Sequence, residues 1–292
     1  MSGAVDWAAL AGDADPVLVR RVVALAASGV ASPLRQRRAA LERLARDGRA
    51  APADVLADLE RLVPAPLWRA QAGAQADGGP QTLGRRLAAA DARVLVLGQP
   101  GYPERLAQLW PELGAPLWLF ARAASPGVLG PGPAVAVVGS RHPSFDGLDM
   151  AAELGGLLAR HGVLVVSGLA RGIDEAAHEG ALGAGGPTVA VLGTGFGVDY
   201  PRGREPLRRR IAASGALVTE LAPGAPPRAH QFLERNRLIA GLADAVVVVE
   251  GRACARSRRR QLQTVKDIVE PRERPGAVPD QVQRCPCRRL TR

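Results

Sequence analysis

The sequence predicts an α/β protein, a doubly wound, mostly parallel sheet of the extended Rossmann-like kind preceded by a small all-helical module. Two patterns carry this expectation. From about residue 92 onward, short β-branched runs alternate with amphipathic stretches, the order that parallel strands joined by crossover helices require. Before residue 63, apolar residues recur at helical spacing instead. A hydrophobic content of 47% over 292 residues is enough to bury a core of that size and excludes a chain disordered throughout.

Taken in chain order, residues 1–62 form the expected helical module. Asp15-Pro16 opens a run with Val17, Val19, Val22, Val23 and Leu25 that Gly29 closes. Ser32-Pro33 opens a second run with Leu34, Leu41 and Leu44, and a third begins near Pro52 with Val55, Leu56, Leu59 and Leu62. Residues 63–91 read as a linker, because Pro64-Ala-Pro66 and Gly73 through Pro80 combine many breakers with little apolar content. The sheet domain is expected at 92–251. Its strands are Val94–Leu97, Leu117–Phe120, Ala134–Val138, Val163–Val166, Thr188–Leu192, Ala216–Thr219 and Ala245–Val249, with helices near 146–161, 173–184, 204–214 and 235–242.

Residues 252–292 differ from all of this. They hold twelve of the 38 Lys and Arg but four of the 28 Asp and Glu, a net +8 that leaves only +2 for residues 1–251. All three cysteines (Cys254, Cys285, Cys287) and the only lysine, Lys266, lie there. A basic, disordered tail is expected. The cysteines match no standard metal-ligand spacing, and no disulfide framework holds the body. No apolar run reaches the 18 residues of a membrane span, and the N-terminus lacks a basic segment followed by an apolar one, so the expected location is the cytoplasm.

In open parallel sheets ligands bind beyond the carboxyl ends of the strands. Four of those ends are distinctive. After the third strand comes Gly139-Ser140-Arg141, a tight turn with a hydroxyl, free amides and a guanidinium. After the fourth comes Ser167-Gly168-Leu-Ala-Arg171-Gly172-Ile-Asp174, leading into a helix that carries His178, with Arg171 beside the helix N-terminus. The fifth end, Gly193-Thr-Gly195-Phe-Gly197, has the wrong glycine spacing for a dinucleotide site. Beyond the sixth, Arg235-Asn236-Arg237 is placed at a helix start and, opposite Leu238, Ile239 and Leu242, is expected to face outward. These loops set Arg141, Arg171, Arg235 and Arg237 on one rim without paired carboxylates, a Cys–His pair or a metal-ligand set. That is equipment for binding phosphates rather than for catalysis, and no cofactor or metal is expected.

These stretches, together with Ala177-His178, Ala190 through Gly195, Tyr200-Pro201, Glu220 with Pro223-Gly224, and Phe232 with Gly241-Leu242, resemble the DNA-processing protein A (DprA/Smf) family. Upstream, Gly101-Tyr102-Pro103 resembles its lead-in, and the helical N-terminus its sterile-alpha-motif-like module. The resemblance implies a cytoplasmic, homodimeric protein that binds single-stranded DNA, protects incoming DNA and loads the RecA recombinase during natural transformation. It implies no enzymatic activity and no membrane partner. Carried over by motif, the nucleic-acid contacts are Gly139, Ser140, Arg141, Ser167, Gly168, Arg171, His178, Arg235, Asn236 and Arg237. Gly197, Arg204 and Leu233 depart mildly from the pattern, whereas after Glu250 the family's closing segment is replaced by the basic tail, as a frameshift or rearranged gene would produce.

The competing reading is a Rossmann-like nucleotide-processing enzyme of the phosphoribohydrolase type, since sheet and arginine rim alone also suit a small nucleotide. Its Pro-Gly-Gly-x-Gly-Thr loop is missing from the sequence. With aromatics at 3% of the chain and none after Phe232, binding is expected to be driven mainly by phosphates.

Overall fold

The computed structural model describes residues 4–28, 51–62, 79–109 and 114–251. The readings of a helix from Ser32 and of the basic tail, with its altered reading frame, fall outside these residues. Of the module, α1 (Trp7–Ala11), α2 (Pro16–Ser28) and α3 (Pro52–Leu62) are present, the last two starting at the prolines that pre-set the first helical turn. Helix α1 has no counterpart among the expected elements. It is a single short turn whose N-cap, Asp6, accepts a hydrogen bond from the Ala9 amide at 3.0 Å.

The expected linker contains a helix, α4 (Pro80–Ala89), which buries Pro80, Leu83 and Leu87. Its apolar spacing is real but brief, and Gly79-Pro80 looks like a breaker although proline is at home in a first helical turn. The boundary expected at residues 91 and 92 is crossed by one continuous core. Leu10, Val19 and Leu25 of the module pack in the same cluster as Leu83, Leu87, Val94, Phe120 and Leu192, and a single compact unit runs to Arg252.

Seven strands make one sheet: β1 (Arg93–Val96), β2 (Trp118–Ala123), β3 (Ala134–Val138), β4 (Leu164–Ser167), β5 (Thr188–Val191), β6 (Ala216–Thr219) and β7 (Ala245–Val248), in the order β1-β2-β6-β5-β4-β3-β7. Strands β3 to β7 pair in parallel, and β1 and β2 add an antiparallel edge, with Phe120 opposite Thr219 and Ala123 opposite Ala216. All four residues of β5 and of β6 are buried, as helices on both faces require.

The connecting helices are α5 (Glu104–Ala107), α6 (Phe145–Arg160), α7 (Ile173–Gly183), α8 (Glu205–Ser214) and α9 (Ala229–Gly241). Helices α6 and α7 touch backbone to backbone, because a Cβ on Gly180 would strike the Ala152 carbonyl and one on Gly155 the Ala177 carbonyl. At the far end, Arg105 reaches Asp244 at 3.0 Å while Asp244 also accepts from the Ala134 amide at 2.9 Å, tying α5 to the entries of β7 and β3. No helix among the described residues is long and apolar enough to cross a membrane.

Candidate nucleic-acid interface

The carboxyl ends of β3, β4 and β5 open into a cleft of about 370 Å³. Arg141, His142, Arg171 and Arg202 line it and are exposed, while the rings of Tyr200 and Phe232 form its wall. The two rings lie 5.1 Å apart between centroids at 43°, a tilted aromatic pair. Arg141 places its guanidinium carbon 5.6 Å from the Phe232 centroid, and Arg235 places its own 6.0 Å away.

The glycines of these loops make room for side chains. A Cβ on Gly193 would stand 2.5 Å from Phe232 Cδ1, and one on Gly168 2.5 Å from Arg235 Nη1. The loop after β4 also holds Leu169 at φ 55°, a left-handed conformation uncommon outside glycine, with its side chain in the core. Loop and aromatic wall are thus packed into place rather than left to solvent.

Several residues expected to meet a ligand are committed elsewhere. The Ser140 amide donates to the Glu250 carbonyl at 2.7 Å and the Ser140 carbonyl accepts from Ile173 at 3.2 Å. Gly139 is crowded by the Ile173 side chain and the Glu250 carbonyl, so this turn contributes its Arg141 and not a ring of free amides. Glu250 also caps α6, its carboxylate accepting from the Ser144 amide and hydroxyl at 2.9 and 2.6 Å. Ser167 is fully buried and its hydroxyl donates to the Val137 carbonyl at 2.6 Å, bracing β4 against β3.

His178 is wholly inside, its Nδ1 2.8 Å from the hydroxyl of Thr188, which itself donates to the Val165 carbonyl. Burial, with the nearby Arg235 charge, holds its pKa down at about 3, so it is neutral at physiological pH. It is a packing residue and faces no opening.

The expectation that Arg235 and Arg237 face outward is corrected. They are 6% and 8% exposed. Helix α9 starts at Ala229, six residues earlier than expected, and Arg235 lies three and four residues before Leu238 and Ile239, hence on their buried face. Its Nη1 donates to the Gly168 carbonyl at 2.6 Å and to that of Val191, bridging the ends of β4 and β5. Its pKa is lowered to about 10 by burial, against the attraction of Asp174. Asp174 lies buried beside it and accepts from the amides of Gly168 and Ala170 at 3.1 and 3.4 Å. Burial raises the Asp174 pKa, and Arg235 opposes that rise. Arg237 is paired with Glu220, leaving Asn236 as the exposed member of the triplet.

Of the sequence-predicted rim, Arg141 and Arg171 therefore stand free in the cleft with Gly168 beneath them. Arg202, Tyr200 and Phe232 join them, although the sequence motifs do not mark them as contacts. The signal for Phe232 is its position three residues before Arg235, which becomes visible once Pro226-Pro227 is read as the stop before a longer helix. Among the described residues no group of His, Cys, Asp and Glu could hold a metal ion.

Residues 93–284 match the model of a family described as DNA recombination-mediator protein A. The chain is 53% identical over 117 residues to a Mycobacterium tuberculosis chain described as a DNA processing protein, DprA, covering 40% of this chain and 30% of that one. It is 40% identical over 151 residues to the DNA processing protein DprA of Streptococcus pneumoniae, covering 51% of each. The chain thus spans about half or less of the length of these curated relatives. An X-ray structure of the S. pneumoniae protein superimposes with a TM-score of 0.61 at 29% identity, covering 83% of this chain and 81% of that one. DNA processing protein A of Helicobacter pylori, solved to study its single-stranded DNA binding, shares the fold with a TM-score of 0.53 at 24% identity, covering 62% and 78%.

Proposed function

The chain belongs to the DNA recombination-mediator protein A family, and on that premise we propose that its cleft binds single-stranded DNA, protects it and passes it to a RecA-type recombinase, with the protein acting in the cytoplasm as a homodimer. One observation carries the reading. Three exposed guanidiniums, Arg141, Arg171 and Arg202, share a single cleft with the tilted ring pair of Tyr200 and Phe232. Guanidiniums take phosphate oxygens two at a time, and an aromatic face accepts any unstacked base, which suits a single strand without sequence preference. Among the residues that the family motifs suggest, Arg141 and Arg171 line the cleft, and Asn236 is exposed on α9. Gly139, Ser140, Ser167, Gly168, His178, Arg235 and Arg237 support the cleft from behind.

The same geometry favours a binder over a phosphoribohydrolase. The buried acid, Asp174, is held by two amides and by Arg235, and His178 is neutral and internal, so neither is presented to a substrate. The reading needs no cofactor and no catalytic residue.

The test is fluorescence anisotropy of a labelled oligothymidylate over a salt series, using the full chain and its Arg141→Ala/Arg171→Ala variant. Every phosphate that is no longer neutralised should lower the slope of log K against log salt by about 0.7. A slope smaller by about 1.4 with most of the affinity gone is expected, one phosphate being released by each arginine removed. A variant that binds as tightly as the parent refutes the cleft as the site. Recombinase loading is checked separately, by the lag of RecA filament growth on strand pre-coated with a single-strand-binding protein, which the chain should shorten.

A further inference from the structure

The cleft is not where the cationic surface stops. Three contacts lead from it across the sheet. Phe232, under Arg141, packs on Gly193 at the end of β5. The loop that follows is tied to the loop after β6, with the Gly195 amide donating to the Ala225 carbonyl at 3.0 Å and the Gly224 amide to the Phe196 carbonyl at 2.8 Å. Gly224, at φ +83°, then lies against a guanidinium from another part of the chain, since a Cβ there would be 3.2 Å from Arg86 Nη1.

Arg86 belongs to α4, the helix in the segment read as a linker, and it is exposed, with no ion-pair partner among the described residues. Arg228 is exposed on the same β6 loop. The carboxylate at the end of β6, Glu220, is engaged by Arg237, so it does not set a free negative charge across this route. Neighbouring strands lie about 4.8 Å apart, which puts the end of β6 about 14 Å from that of β3, with Arg86 beyond it.

We propose that a bound single strand leaves the cleft over the paired β5 and β6 loops and has a second phosphate anchor at Arg86, so that the helix before the sheet is part of the DNA track. This rests on the cleft being a single-strand site. It assigns α4 a binding role and makes affinity depend on strand length, because a short strand fills the cleft without reaching Arg86.

The experiment compares oligothymidylates of about six and about twenty nucleotides, within and beyond common single-strand site sizes, on the full chain and on Arg86→Gln, Arg141→Ala and Arg160→Gln. Arg160 is exposed at the end of α6, just before β4 begins, at the amino ends of the parallel strands, and controls for loss of one charge. The expected result is that Arg86→Gln weakens the long strand about two- to fivefold, the range of one solvated ionic contact, lowers its salt slope by about 0.7, and leaves the short strand unchanged, while Arg160→Gln changes neither. Equal losses on both strands, or no loss on the long one, overturn the track. Failure of Arg141→Ala to weaken the short strand would instead refute the cleft itself.

Discussion

Arg235 donates from Nη1 to the main-chain carbonyl of Gly168 at 2.6 Å, so a residue of α9 holds the loop that presents Arg171. With its second bond to Val191 and its place under Phe232, it positions the cleft from below. Arg235→Lys keeps the charge but a single ammonium does not reproduce the planar fork. The expected outcome is weaker binding of single-stranded DNA with an unchanged salt slope, read by anisotropy. Affinity equal to the parent's would mean that the planar fork is not what holds the loop. Arg235→Ala leaves Asp174 buried without its counter-charge and should lower the unfolding free energy by about 3–5 kcal/mol in urea.

Phe232→Leu removes a stacking face but no charge. Base stacking on an aromatic is worth about 1–3 kcal/mol, so affinity should fall by roughly fivefold or more at every salt concentration. Parallel salt plots for parent and variant are the signature, and quenching of a 2-aminopurine base in the strand should diminish with the ring gone. Converging plots would show that the effect came through Arg141, whose guanidinium lies over the same ring.

The buried histidine sets a pH dependence. His178 has a folded pKa of about 3 against an ordinary 6.5, so the unfolded chain takes up its proton first as pH falls. Its stabilising contribution is complete above pH 6.5 and is lost on the way down to about 3, at about 1.4 kcal/mol per pH unit. The raised pKa of Asp174 works the other way, favouring the folded chain as acid is added. Comparing urea unfolding of parent and His178→Gln between pH 7 and 5 isolates the histidine, and the variant should show the flatter profile. Identical profiles would place that proton elsewhere.

Gly180→Ala tests the contact between α6 and α7. The added methyl meets the Ala152 backbone, which cannot swing aside as a side chain would. A destabilisation of about 1–3 kcal/mol is expected, seen as a lower urea midpoint with the slope unchanged. Full stability in this variant would mean that the two helices separate at no cost.

The strands were legible because each is a short β-branched run bounded by breakers, and every one of the seven lies within a residue or a few of its expected place. The supporting roles were not. Ser167, His178 and Arg235 sit in the right motifs, but a motif does not say on which side of the backbone a side chain falls. For Arg235 the answer lay in helical phase, counted from a start at Ala229 and hidden by reading the polar triplet as the beginning. Pro80 hid α4 in the same way, since the residue that ends one helix also begins another. Phe232 and Tyr200 are too few and too far apart in sequence to stand out, and only the fold brings the two rings into one cleft.

The core that runs from Leu25 and Leu83 to Leu192 joins the opening helices to the end of β5, where the residue after Leu192, Gly193, seats the Phe232 ring. The helices are therefore not a spare part that could be unbolted at residue 91 and fitted to another chassis. A protein that gripped them would have its hand on the frame in which the ring is set, and a truncation meant to simplify the molecule would instead take away one wall of its foundation.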